Sequence, residues 1–256
     1  MILIQPKYTQ PEVWETLAEK ENLGYEVLEL GLPPVLGSEE AEEDCLAWYR
    51  ESGRTLSVHG MFIGVDPASS DSAVRELSRR RCEQSVRHAM ALGVKNIVQH
   101  SSAFPVLRGQ YLEHWSEVCA EYYCDLTERY PIRLSIENSA DLDPEPIRKI
   151  MERAANPQRM GVCLDVGHAN FSAAPIERWF DELGEWITEL HLSDNMGLFD
   201  EHLPLGKGSV DWKKVDGLWR ALGRDVLLTL EVGGYDGVET SLAYLKENGL
   251  FLQGGN

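Results

Sequence analysis

One pattern constrains this chain more than any other: eight short apolar runs rich in β-branched residues alternate with longer stretches of helical periodicity along its whole length. The runs fall at 2–5, 25–30, 55–59, 96–100, 133–137, 160–165, 187–192 and 226–232. Helical stretches lie near 11–22, 39–51, 72–92, 109–129, 144–154, 175–184, 212–222 and 239–248, several closing on Gly93, Gly184, Gly223 or Gly249. Crossovers of that length join parallel strands, and eight strand–helix units in 256 residues predict a single (β/α)8 barrel domain over residues 1–256. An open doubly wound sheet is the rival. No GxGxxG follows the first run and no linker marks a second domain, so the closed barrel is preferred.

The phase within the runs supports this independently. Leu56 and Val58, Leu134 and Ile136, Val162 and Leu164, Leu190 and Leu192, and Leu228 and Leu230 form one aliphatic row. The alternate row is Ser57 and His59, Ser135 and Glu137, Cys163 and Asp165, Glu189 and His191, and Thr229 and Glu231. Side chains alternate across a strand, so the first row should pack on outer helices and the second should fill the barrel interior.

Polar groups therefore converge at the carboxyl ends of the strands, where barrels place their sites: His59, His100, Glu137, Asp165, His191 and Glu231. The loops that follow add His168, Asp200 and His202, so five of the seven histidines fall in one ring. Singly, each is an ordinary buried histidine or a helix-capping carboxylate. Packed together they would be costly unless a cation or a hydrogen-bond network compensates them, which points to a metal site. A His, Asp and Glu set without thiolate suits zinc or manganese among the divalent ions. Nine ligands exceed what one ion takes, so one to three ions are expected.

Composition sets the remaining limits. With 43% hydrophobic and 26% charged residues the chain reads as globular, and no apolar run is long enough for a membrane span. Met1 to Pro6 lacks a secretory pattern, and the five cysteines show no CxxC pair, so a cytoplasmic protein with buried free thiols is expected. A net charge of −18 opposes nucleic-acid binding. The dense basic cluster on the 72–92 helix (Arg75, Arg79, Arg80, Arg81, Arg87) is expected to be a solvated face of local ion pairs, and the acidic 38–44 segment a helix start.

The ring residues and their surroundings resemble a known family. Similar segments are Ser57-Val58-His59-Gly60, Ile97-Val98-Gln99-His100, Ile136-Glu137-Asn138, Asp165-Val166-Gly167-His168, His191-Leu192-Ser193-Asp194, Asp200-Glu201-His202 with Gly206-Lys207-Gly208, and Leu230-Glu231-Val232. From strand three to strand eight the chain is similar to the xylose isomerase-like barrels. These include sugar-phosphate isomerases and epimerases and the endonuclease IV type of abasic-site endonuclease (AP endonuclease family 2).

In the isomerase and epimerase branch, the resemblance implies one ion held by Glu137, Asp165, His191 and Glu231. Glu137 and Glu231 would also move protons, and His168 would contact a substrate oxygen. The endonuclease branch implies three zinc ions: His59 and His100 on one, Glu137 bridging to a second with Asp165, His191 and Glu231, and His168, Asp200 and His202 on the third. The Ser193-Asp194-Asn195-Met196 wording and the acidic charge depart from that branch. The sequence-based reading is thus a metal-dependent isomerase or epimerase acting on a sugar or sugar phosphate, with the zinc phosphodiesterase as alternative and a non-catalytic ligand-binding barrel as a third class. Asn138, Gly206, Lys207 and Gly208 are expected to help bind substrate, the glycine loop either through phosphate or as a mere turn.

Overall fold

The computed structural model describes residues 1–251. Positions 252–256 of the domain expected over 1–256 lie outside the described residues. Eight parallel strands close into a barrel in chain order, with the last paired to the first. They are β1 (Ile2–Ile4), β2 (Gly24–Val27), β3 (Thr55–His59), β4 (Asn96–His100), β5 (Arg133–Glu137), β6 (Met160–Asp165), β7 (Ile187–Leu192) and β8 (Leu227–Leu230). Around them run α1 (Pro11–Glu21), α2 (Pro33–Leu36), α3 (Glu39–Ser52), α4 (Ser72–Leu92), α5 (Gly109–Arg129), α6 (Glu145–Arg153), α7 (Val166–Phe171), α8 (Ile176–Leu183), α9 (Trp212–Ala221) and α10 (Gly234–Asn248). This is the (β/α)8 TIM barrel expected from the alternation.

Several boundaries differ from the sequence reading for physical reasons. The second strand stops at Val27, because Leu28 leaves the extended conformation and a 3-10 turn follows over Glu29–Gly31, after which Pro33 and Pro34 start α2. The short α7 has no counterpart among the expected helices. It forms because Asp165, the last residue of β6, accepts the His168 N–H and so caps it. α10 starts at Gly234 rather than 239, and β8 ends at Leu230. Glu231 therefore lies one residue beyond its strand, yet its N–H still donates to Leu192 O at 3.1 Å and keeps the strand direction.

The aliphatic row packs outward: Val58, Ile136, Val162, Leu164, Leu190, Leu192 and Leu230 are fully buried against the helices. Leu56 is the exception at 41% exposure, lying at the amino end of the barrel beside Gly24. Inside the barrel, Asn96 and Thr229 both donate to the Glu189 carboxylate at 2.6 Å, and Ser57 Oγ, which donates to Glu26 at 2.8 Å, lies 3.2 Å from it. Burial, reinforced by the Glu26 charge, pushes the Glu189 carboxyl up to about 8. The β6–β7 register shifts by one residue at Val162/Cys163, which turns Thr188 inward within 2.8 Å of Ser135 Oγ. Gly161 is required opposite it, since a Cβ there would stand 2.5 Å from Thr188 Oγ1.

The outer surface follows the charge reading. Ser38 caps α3 above its acidic first turn. On α4, Arg87 pairs with Glu83 at 3.6 Å, Arg75 and Arg79 donate to loop carbonyls, and Arg79 also stacks on Tyr122. All five cysteines are buried and free. No described helix is long and apolar enough to cross a membrane.

Candidate metal centre

The carboxyl ends of four strands bring Glu137 (β5), Asp165 (β6), His191 (β7) and Glu231 (after β8) together, with one ligand atom from each within 4.8 Å of the others. His191 Nδ1 stands 3.3 Å from Glu137 Oε1 and 2.7 Å from Glu231 Oε2. All four side chains are buried. Glu137 Oε1, Asp165 Oδ2, His191 Nδ1 and Glu231 Oε2 have no hydrogen-bond partner. Orphaned buried acceptors on three carboxylates are costly, and a divalent cation bound by all four would compensate them together. Three oxygens and one imidazole nitrogen form a donor set that fits such an ion, zinc and manganese included.

Asp165 divides its work. Its Oδ1 caps α7 while Oδ2 is left free toward the cluster. Burial, with the charges of Glu231 and Glu137 adding to it, pushes its carboxyl up to about 7. Burial opposes the charge of Glu231 as well, but His191 beside it holds that carboxyl below the ordinary range.

Two histidine groups flank this centre. His59 Nε2 and His100 Nε2 share Glu137 Oε2, at 3.1 and 3.5 Å. His168 Nε2 and His202 Nε2 share Asp200 Oδ2, at 3.2 and 3.0 Å. Three of these rings are fixed from behind: His59 Nδ1 on Gly60 O at 2.9 Å, His168 Nδ1 on Asn138 O at 2.7 Å, and His202 Nδ1 on Glu231 O at 2.9 Å. An Nδ1–H donated to a carbonyl leaves Nε2 with a lone pair, which is how proteins orient metal-binding imidazoles. Burial opposes protonation of His59 and His202, yet Glu137 and Asp200 respectively lift each to about 9. Burial instead lowers His100 to about 4. His202 also adopts a left-handed backbone at φ 46°, a conformation uncommon outside glycine that aims its ring at Asp200.

A cavity of about 280 Å³ opens onto the cluster, lined by the polar side chains of His59, His100, His168, Asp200, His202 and Glu231 and by the apolar ones of Leu28, Phe62 and Val232. Asn138, Gly206, Lys207 and Gly208 lie outside this lining, as do Glu137, Asp165 and His191. Asn138 uses its side-chain amide to clamp Asp165, donating to Asp165 O at 2.9 Å and accepting from Asp165 N at 2.7 Å. Those two bonds give it a bracing role behind Asp165. Gly206, Lys207 and Gly208 wrap Asp194, whose carboxylate accepts from Gly206 N, Val210 N, Asn195 N and Trp212 Nε1. Lys207 N donates to Pro204 O, so the Gly206 and Lys207 amides are already used within the turn. Two of the loop's amides thus serve the turn around Asp194.

The sequence reading missed Gln5 and Glu26. Gln5 Nε2 donates to Glu26 Oε1 at 2.9 Å and reaches Glu231 Oε1 at 3.3 Å. Glu26 is fully buried between Tyr25 and Val27, and its place in the inward row of β2 was the available signal.

Fold and cluster together define a (β/α)8 barrel with a candidate metal centre at its carboxyl mouth. The chain belongs to the xylose isomerase-like TIM barrel family, whose profile matches residues 17–248. It is 27% identical over 206 residues to an uncharacterised protein of Methanocaldococcus jannaschii, MJ1311, covering 75% of this chain and 69% of that protein. A probable endonuclease 4 of Ureaplasma parvum is 25% identical over 181 residues, covering 60% and 57% of the two chains. Among solved structures, the TTHB071 protein of Thermus thermophilus, soaked with ZnCl2, is 28% identical with a TM-score of 0.77 and 96% coverage of each chain. A D-tagatose 3-epimerase-like protein is 22% identical with a TM-score of 0.76, again over 96% of each chain. Other neighbours of this fold are sugar epimerases such as L-ribulose 3-epimerase, and the IOLI protein with a zinc atom.

Proposed function

We propose that this chain is a divalent-metal-dependent isomerase or epimerase acting on a small sugar, sugar phosphate or related hydroxy-carbonyl compound. One observation carries the reading. Glu137 and Glu231, from strands on different sides of the barrel, bring unpartnered carboxylate oxygens to one four-residue cluster beneath a small cavity. Glu137, Asp165, His191 and Glu231 would hold the ion, which supplies polarisation of a substrate carbonyl when bound. One glutamate removes the proton from the adjoining carbon and the other returns a proton to the resulting enediol, on the opposite face for an epimerase. His168, at the cavity wall, would hydrogen-bond a substrate oxygen. A cavity of about 280 Å³ suits a small molecule, and the sugar epimerases among the structural neighbours support that class.

A second reading, a trinuclear zinc phosphodiesterase of the endonuclease IV type, is favoured by the two flanking groups: all nine ligand residues gather in three sets. The net charge of −18 weighs against a duplex substrate. Elemental analysis of protein purified without chelators, then loaded separately with zinc and manganese, separates the two. About one ion per chain, with solvent deuterium incorporated into a ketose or ketose phosphate, is the expected result. About three zinc ions with cleavage of an abasic-site duplex would overturn the isomerase reading.

A further inference from the structure

His191, the one imidazole of the central cluster, lacks the backbone anchor that His59, His168 and His202 possess. Neither of its ring nitrogens has an aligned hydrogen bond, although the ring is fully buried. With Nδ1 directed at Glu137 and Glu231, Nε2 faces down into the barrel. There it meets Glu26 Oε1 at 3.2 Å, Glu189 Oε1 at 3.9 Å, and Cys163 within 4.8 Å. A buried imidazole N–H needs an acceptor. At 3.9 Å Glu189 Oε1 lies beyond hydrogen-bond distance, and a thiol accepts weakly, which leaves Glu26 Oε1 as the nearest strong acceptor.

Glu26 is itself held in place. Ser57 Oγ donates to its Oε2 at 2.8 Å, and Gln5 Nε2 donates to its Oε1 at 2.9 Å while the same amide reaches Glu231 Oε1 at 3.3 Å. Glu26 and Gln5 thus contact His191 Nε2 and Glu231 Oε1, while the atoms of those residues that face the cluster, Nδ1 and Oε2, stand 2.7 Å apart.

We propose that Glu26 is a positioning residue for the metal centre: it takes the Nε2–H of His191, fixes the tautomer that presents the Nδ1 lone pair to the ion, and through Gln5 couples that ring to Glu231. A carboxylate behind a ligating imidazole also raises its basicity, so Glu26 should tighten metal binding as well as orient it. The inference rests on the central metal site proposed above and not on the reaction performed there.

Zinc affinity of the full-length chain, measured by competition with a chromogenic chelator, tests it, together with the visible spectrum of the cobalt(II) form. Glu26→Ala should weaken zinc binding about 10–100-fold and shift the cobalt bands. Glu26→Gln should weaken it less, because its amide oxygen still accepts from Nε2. Ser135→Ala, in the same interior layer with no contact to the ligands, should bind zinc like wild type. A folded Glu26→Ala protein that binds zinc within about threefold of wild type, with an unchanged cobalt spectrum, would overturn the proposal. So would a Ser135→Ala protein weakened as strongly, since that would mean general loosening of the interior. If Glu26→Ala does not fold, Glu26→Leu, which also removes the acceptor but keeps side-chain bulk, is judged by the same two criteria. A wild-type protein that binds neither ion would instead sink the metal reading from which the proposal starts.

Discussion

Asp165→Asn should make the metal-free protein more stable and the zinc-loaded protein relatively less so. Burial, with the charges of Glu231 and Glu137, pushes the Asp165 carboxyl up to about 7 from an ordinary 3.8. Because the folded value is raised, the folded state favours the protonated acid. That contribution is complete below about pH 4 and is lost as pH rises through 7, leaving a charged, destabilising carboxylate above. At about 1.4 kcal/mol per pH unit, the gap between 3.8 and about 7 amounts to about 4 kcal/mol at pH 8. Asparagine retains the oxygen that caps α7, but its amide group enters the place where Oδ2 has no partner, at a cost of about 1–3 kcal/mol. A net gain of about 1–3 kcal/mol follows, and in a domain of this size that raises Tm by about 2–12 °C.

Zinc reverses the sign because the amide removes a charged ligand. At a thousandfold excess over Kd, bound zinc should add about 4 kcal/mol to the wild type, and the variant should lose most of that. Thermal melting with chelator at pH 5 and pH 8, then with zinc at pH 8, reads every step. The stabilisation in chelator should be larger at pH 8 than at pH 5. A variant less stable than wild type at pH 8 in chelator, or offset equally at both pH values, would refute the reasoning.

Two further substitutions probe the site and its supporting loop. Glu231→Gln should lower turnover by about 10²–10⁴-fold with the circular dichroism spectrum unchanged, and a near-normal rate of solvent deuterium exchange would remove Glu231 from proton transfer. Gly208→Ala would force a Cβ to within 2.3 Å of both Asn195 O and Asp194 Oδ1. It should cost about 1–3 kcal/mol in urea unfolding, and a loss below about 0.5 kcal/mol would show that the Asp194-centred turn is not tightly packed.

Much of this was legible in the sequence. Strand alternation alone put Val58, Leu164 and Leu190 against the helices and Glu137, Asp165 and His191 inside, because a strand's two faces are fixed by a period of two. The parallel crossovers then placed the ends of those strands at one mouth, so the ring of ligand-type residues could be drawn before any coordinates. Glu26 escaped because its strand is four residues long and broke the expected range, although it too obeyed the alternation.

Other matters were decided only by tertiary structure. That Asn138 clamps Asp165, and that the 206–208 loop wraps Asp194, depends on which acceptors other segments bring within reach. The pairing of His59 and His100 on one carboxylate, and of His168 and His202 on another, likewise depends on the angular spacing of strands around the closed barrel. Local sequence fixes which face a side chain takes. Hydrogen-bond partners and distances between strands far apart in the chain arise only when the sheet closes, since closure sets both stagger and tilt at once.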